Sequence, residues 1–130
     1  MTPSRFVLDA EAARVLFERR RNAWLASDAA AYMALWSDDM VIELPGRDPI
    51  RGKAAYAAMI DDSMRHMRPI AWTFHHIAVD ADHVLAEWTI EGEFIAKARA
   101  VSWRGMSVCR LEDGLICEWR EYWDPGALRA

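Results

Sequence analysis

The chain is short of cysteine, of positive charge and of long apolar runs. Only two cysteines, Cys109 and Cys117, occur among 130 residues. Neither lies in a CxxC pair or beside other metal-ligand types, so neither a disulfide framework nor a thiolate metal site is expected, and both read as reduced, buried thiols. Lys and Arg number 16 against 20 Asp and Glu, a net charge of −4, which leaves no electrostatic footprint for nucleic acid. No apolar run approaches the roughly 18 residues of a membrane span, and the first residues lack the apolar stretch of a secretory leader. A cytoplasmic protein with no membrane partner is therefore the expectation. Motifs that announce a bound group are absent as well. There is no HxH, HExxH, GxGxxG, P-loop or nucleophile elbow, so no metal and no cofactor is predicted.

What the chain does have is material for a core. Apolar residues make up 53% and charged residues 28%, a balance that argues against disorder. Seven Trp and seven Met in so short a chain suit either a tight core or a cavity for a flat, greasy molecule. The length predicts one domain over residues 1–130.

Residues 9–26 read as a helix capped by Asp9, with Ala13, Leu16, Phe17, Arg20, Arg21 and Trp24 at helical spacing on roughly one face. Arg20 or Arg21 must then lie near an apolar stripe, either snorkelling to its rim or pointing inward at an acid. A second helix is predicted over Ala29–Trp36, with Tyr32, Leu35 and Trp36 inward, ended by Ser37-Asp38-Asp39, then a short strand over Met40–Leu44. A third helix is predicted over Gly52–Met67, its stripe including Tyr56, Met59, Ile60 and Met64. From Pro69 onward the period changes to two. Strands are predicted over Ile70–Val79, with Trp72, Phe74 and His76 on one face, over Val84–Phe94, with Trp88 and Ile90 inward, and over Ala98–Leu111, with Trp103 and Ser107 inward. Helices followed by an antiparallel meander make an α+β pattern, with helices on one sheet face. The other face, half polar but carrying Val108, Ile116 and Tyr122, suits a dimer contact.

The tail, Ile116 to Pro125, follows an Asp113-Gly114 turn and alternates cleanly. One face carries Cys117, Trp119, Glu121 and Trp123, apolar but for a single carboxylate. A charge isolated among tryptophans is costly unless it is paired or meets water or ligand. The apolar faces of the last two strands are both odd-numbered, so paired residue numbers must sum to an even number. A three-residue turn with Gly114 in the left-handed region and a bulge would satisfy this, placing Cys109 near Cys117 or Trp119.

Several strings in this order, among them Ala23-Trp24 before Ser27-Asp28, Trp36-Ser37-Asp38-Asp39, Leu44-Pro45-Gly46, Ile50-Arg51-Gly52, Glu87-Trp88-Thr89 and the whole run from Asp113 to Asp124, resemble the SnoaL-like branch of the nuclear-transport-factor-2-like superfamily. The likeness covers nearly the whole chain. It implies a cone-shaped α+β barrel: three N-terminal helices packed in a curved, mainly antiparallel sheet, with a pocket at the wide end. The superfamily includes polyketide cyclases, ketosteroid isomerases and limonene-epoxide hydrolases, so fold alone does not choose an activity. Glu121 matches a catalytic Asp of the epoxide hydrolases. Their partner charges would stand at Trp88 and Ile90, and their water-holding residues at Ile42 and Leu44, where this chain has none. The isomerase base would fall at Leu44, an oxyanion-hole Tyr near Arg20 and a second acid near Ser107. A cyclase-type late-strand acid corresponds to Glu121, but the neighbouring strand offers no His.

The candidate catalytic set is Glu121, Arg20 and His76. The candidate ligand wall is Trp24, Leu44, Met64, Trp72, Trp88, Trp103, Ser107, Trp119 and Trp123. Two readings follow: a cyclase or isomerase in which Glu121 acts as general acid/base on a carbonyl compound, or a non-catalytic protein, either a binding module for a small apolar or aromatic molecule or a dimeric interaction protein, with Glu121 paired to Arg20 or Arg21. In either case a homodimer through the outer sheet face is expected.

Overall fold

A computed structural model describes residues 6–128. Helix α1, Ala10–Leu25, starts where the Asp9 carboxylate accepts the Ala12 N–H at 2.8 Å, which satisfies one orphan donor of the first turn. Its buried stripe is Ala13, Leu16, Phe17, Arg20 and Ala23. Asp28 caps α2, Ala29–Met33, in the same way. This helix is shorter than its pattern suggests. Leu35 turns outward to the sheet, its carbonyl accepting the Ile116 N–H, and strand β1 already begins at Trp36 and runs to Glu43. Ser37, Asp38 and Asp39 therefore lie in a strand rather than closing a helix; pairing with the tail outweighs the local capping signal. A two-residue strand β2, Ile50–Arg51, which period alone did not reveal, returns against β1. Helix α3 spans Lys53–His66.

Strands β3 (Met67–Asp80), β4 (His83–Phe94), β5 (Arg99–Glu112) and β6 (Leu115–Tyr122) follow. They complete a six-stranded sheet in the order β2-β1-β6-β5-β4-β3. All pairs are antiparallel except β1 with β6, which run parallel. Three helices against this curved mixed sheet give the cone-shaped α+β architecture. Among the described residues no helix is long and apolar enough to cross a membrane.

Register decides which side chains reach the interior. β4 and β5 alternate without interruption, burying Val84, Ala86, Trp88 and Ile90 on one strand and Gly105, Ser107, Cys109 and Leu111 on the other. β6 pairs Ser107 with Glu121 and Cys109 with Trp119, the even sums that the alternation demands. The connection, however, is a two-residue turn with Asp113 and Gly114 both at positive φ, 51° and 81°, and parity is restored by a bulge at Cys117. β3 carries a bulge between Phe74 and His76. Trp72 and Phe74 face the helices before it, and Ile77 and Val79 after it; Ile70, beside another bulge between Pro69 and Ala71, is exposed, so the even-numbered face predicted for this strand holds only for Trp72 and Phe74. His76 is displaced to the outer surface, where its side chain is 85% exposed and its Nδ1 lies 3.0 Å from Glu87.

The core between helices and sheet is rich in aromatic rings. Phe17 meets Phe74 and Trp119 at ring separations of 5.6 and 5.5 Å, and Trp36 meets Tyr56 at 4.8 Å. Each such pair adds about 0.5–1.5 kcal/mol beyond its burial.

Candidate functional site

Between the three helices and the sheet lies a cavity of about 220 Å³. Sheet residues Trp72, Ile90, Trp103, Glu121 and Trp123 form one wall. Helix residues Arg20, Trp24, Tyr32, Tyr56 and Ile60 form the other, and the loop residues Leu44, Pro45 and Arg47 edge the mouth. A larger depression of about 460 Å³ lies against the start of α1 and the β5–β6 turn. Its charged lining residues Asp9, Glu11 and Arg19 are all exposed, so no buried polar group converges on it.

Glu121 sits where β6 alternation aims it, half-buried and facing the cavity. One carboxylate oxygen accepts the Trp119 indole N–H and the other the Trp123 indole N–H, both at 2.9 Å. Both donors come from the same strand face, two residues to either side, so period two builds this clamp. Among the described residues no ion pair within 4.0 Å involves Glu121. The structural pair with Arg20 or Arg21 is not formed; indoles satisfy the carboxylate instead.

Arg20 is the inward arginine, only 2% exposed. Arg21 turns outward, bonding Asn22 and lying 5.6 Å from the Phe74 ring. The Arg20 guanidinium carbon sits 3.8 Å from the centre of the Trp119 ring and about as deep as Tyr32, Trp36 and Trp72, whose ring centres are 5.1, 5.4 and 5.1 Å away. One terminal nitrogen donates to the hydroxyls of Tyr32 and Tyr56, which are 3.0 Å from each other. Burial would pull the guanidinium pKa down, but Tyr32, Tyr56 and Glu121 outweigh it and the pKa is raised. Arg20 is therefore a permanent cation inside an aromatic box. Burial, and next Tyr32, push the Tyr56 phenol well above its ordinary range. It remains a neutral O–H donor at any physiological pH.

Of the predicted set, the cavity gathers Glu121, Arg20, Trp24, Leu44, Trp72, Trp103 and Trp123. Trp88, Ser107 and Trp119 lie behind its wall, fully buried, with the Trp88 indole donating to the Ser107 hydroxyl at 3.2 Å. They support the wall rather than touching the space. His76 is outside altogether, because of the β3 bulge. Met64 lies in a separate shallow depression with Ser27, Ala29, Asp61 and Arg65; its position on α3 is one turn beyond Ile60, past the cavity. Tyr32 and Tyr56 were legible only as apolar stripe residues. The signal for a site was their hydroxyls, since a buried Tyr needs a polar partner. Among the described residues no group of three or more His, Cys, Asp or Glu is placed to hold a metal ion.

Comparison with known proteins agrees with this geometry. A family model described as a SnoaL-like domain matches residues 17–119. The uncharacterized protein YesE of Bacillus subtilis is 28% identical over 108 residues, 78% of this chain and 74% of its own length. A solved candidate isomerase from Bacillus subtilis superposes with a TM-score of 0.86 at 25% identity, covering 95% of this chain and 94% of that one. An epoxide hydrolase from Mycobacterium tuberculosis, of the limonene-epoxide-hydrolase-like type, gives 0.77 at 28% identity, over 91% of this chain and 86% of its own.

Proposed function

The chain belongs to the SnoaL-like domain family, and on that premise we propose that its cavity takes a small, largely apolar carbonyl compound on which Glu121 moves a proton. The reaction class is that of an isomerase or a cyclase. The carbonyl oxygen lies at the Arg20–Tyr32–Tyr56 end and the neighbouring carbon faces Glu121. The C–H proton passes to a Glu121 oxygen, and the bonding pair moves through the C–C bond to the carbonyl oxygen. The resulting enolate is stabilised by the guanidinium and a phenol O–H. Glu121 then returns the proton, either to a different carbon or to the oxygen of a second carbonyl that the enolate carbon has attacked. Solved relatives named as an isomerase and an epoxide hydrolase are compatible with proton-transfer chemistry in this fold.

The observation that carries the reading is the separation of roles. The cavity's one carboxylate is held by two indoles and free of any contacting cation, while the cation and phenols occupy the helix side of the same space. The second reading, a binding module without turnover, is favoured by the apolar Leu44 and the outward His76, which leave Glu121 without a helper base.

The test is deuterium exchange at the α-carbon of aromatic ketones, followed by NMR in the wild type and in Glu121→Gln. We expect exchange in the wild type and its loss, by a factor of about 100 or more, in the variant. Glutamine offers one acceptor to two indole donors, so the variant is also expected to lose about 1–3 kcal/mol of stability. Equal exchange in the two folded proteins would leave only the binding reading.

A further inference from the structure

Around Arg20 four buried side-chain nitrogens have no hydrogen-bond partner: Arg20 Nε and Nη1, Trp36 Nε1 and Trp72 Nε1. All four are donors and none can accept. The phenols add to the imbalance. Tyr32 and Tyr56 share one hydrogen bond, and both accept from Arg20, so one phenol hydrogen has no acceptor. Both oxygens of Glu121 are already engaged by Trp119 and Trp123. Charge points the same way. The cavity is lined by Arg20 and Arg47 against Glu121 alone, a local excess of positive charge in a chain whose net charge is −4. A buried guanidinium with spare donors, aromatic walls and, among the described residues, no contacting carboxylate has the chemistry of an anion receptor.

We propose that the deep end of the cavity also binds a carboxylate, so that a flat, apolar organic acid competes with the carbonyl compound for the same donors. Its carboxylate sits against Arg20 with Tyr56 and Trp72 as further donors. Its ring system lies between Trp24, Trp103 and Trp123, and Arg47 at the mouth favours entry of an anion. The inference rests on the preceding reading only for the position of the cavity's polar end. It concerns the charge of the bound molecule and requires no step at Glu121.

The experiment compares 2-naphthoate with 2-naphthamide by titration calorimetry. The two share shape and ring, and neither has an acidic C–H for Glu121 to remove. The wild type is expected to bind the acid on the order of tenfold or more tightly than the amide. Arg20→Met should abolish that preference and Glu121→Gln should keep it. In the unsubstituted protein, the Arg20 Nε–H resonance should move downfield on adding naphthoate but not naphthamide, which tests the contact even where Arg20→Met does not fold. Equal affinities in the wild type, a preference that survives in folded Arg20→Met, or an unmoved Nε–H resonance would each overturn the proposal. Loss of the acid preference with α-proton exchange intact removes this inference alone; loss of exchange with the preference intact removes only the earlier reading.

Discussion

Glu121 was the residue most plainly written in the sequence, because a period of two put one carboxylate on a face of Cys and Trp. Its surroundings were not. Alternation places Trp119 and Trp123 on the same face but says nothing of their indole rotation, and it is that rotation which turns two greasy neighbours into two donors. Arg20 shows the same division. Helical spacing narrowed the inward cation to two adjacent arginines, and only packing chose between them. The cysteines give a direct check. Burial pushes Cys109 up to about 12, and burial likewise raises Cys117. Raised pKa values mean that the neutral thiol dominates until pH climbs through them, so almost no thiolate exists near pH 8. Both thiols are expected to be inert to an aromatic disulfide reagent at pH 8 in the folded protein and to react on unfolding. Rapid labelling of either residue in the native state would contradict the burial.

At the level of elements, the helices and the antiparallel run of the last four strands were legible from capping residues and period, whereas the irregularities were not. A bulge costs one residue of register and leaves no compositional mark, so His76 read as inward although the ladder carries it out. The β5–β6 connection failed in the same way: a tighter turn and a bulge at Cys117 reach the same parity beyond the bulge, but before it Ile116, expected on the outer face, is turned into the core, fully buried. Gly105 shows how closely the strands support the site. A methyl at this position would stand 2.8 Å from the Trp88 ring, 2.8 Å from the Tyr122 carbonyl oxygen and 3.0 Å from Trp123 Cβ. Gly105→Ala is expected to cost about 1–3 kcal/mol through overpacking and to displace Trp123 from Glu121. Thermal denaturation should show the loss and near-UV circular dichroism a changed tryptophan signal; an unaltered spectrum at unaltered stability would show that the strands have more slack than these distances allow.

For the whole molecule, the α+β architecture followed from element order, while the sheet's parallel β1–β6 contact did not, because nothing local records which strand a tail will lie beside. Assembly belongs to this scale. Met106 and Tyr122 oppose each other across β5 and β6 on the outer face, 43% and 58% exposed, and we propose that the second copy expected from the sequence covers them. Light scattering of the wild type is expected to give a dimer mass, and Met106→Glu with Tyr122→Glu a monomer that keeps the fold. A wild-type monomer at micromolar concentration would end that part of the proposal. The site itself is divided between the two layers. Arg20, Tyr32 and Tyr56 come one from each helix, and Glu121 with both its indoles comes from β6 and the residue that follows it. A break between His66 and Met67 would thus leave every cationic and phenolic group of the network on one fragment and the carboxylate on the other. Neither fragment alone would hold the whole network, so binding in the cavity would report their reassembly, and a split at this point tests how the two layers divide the site.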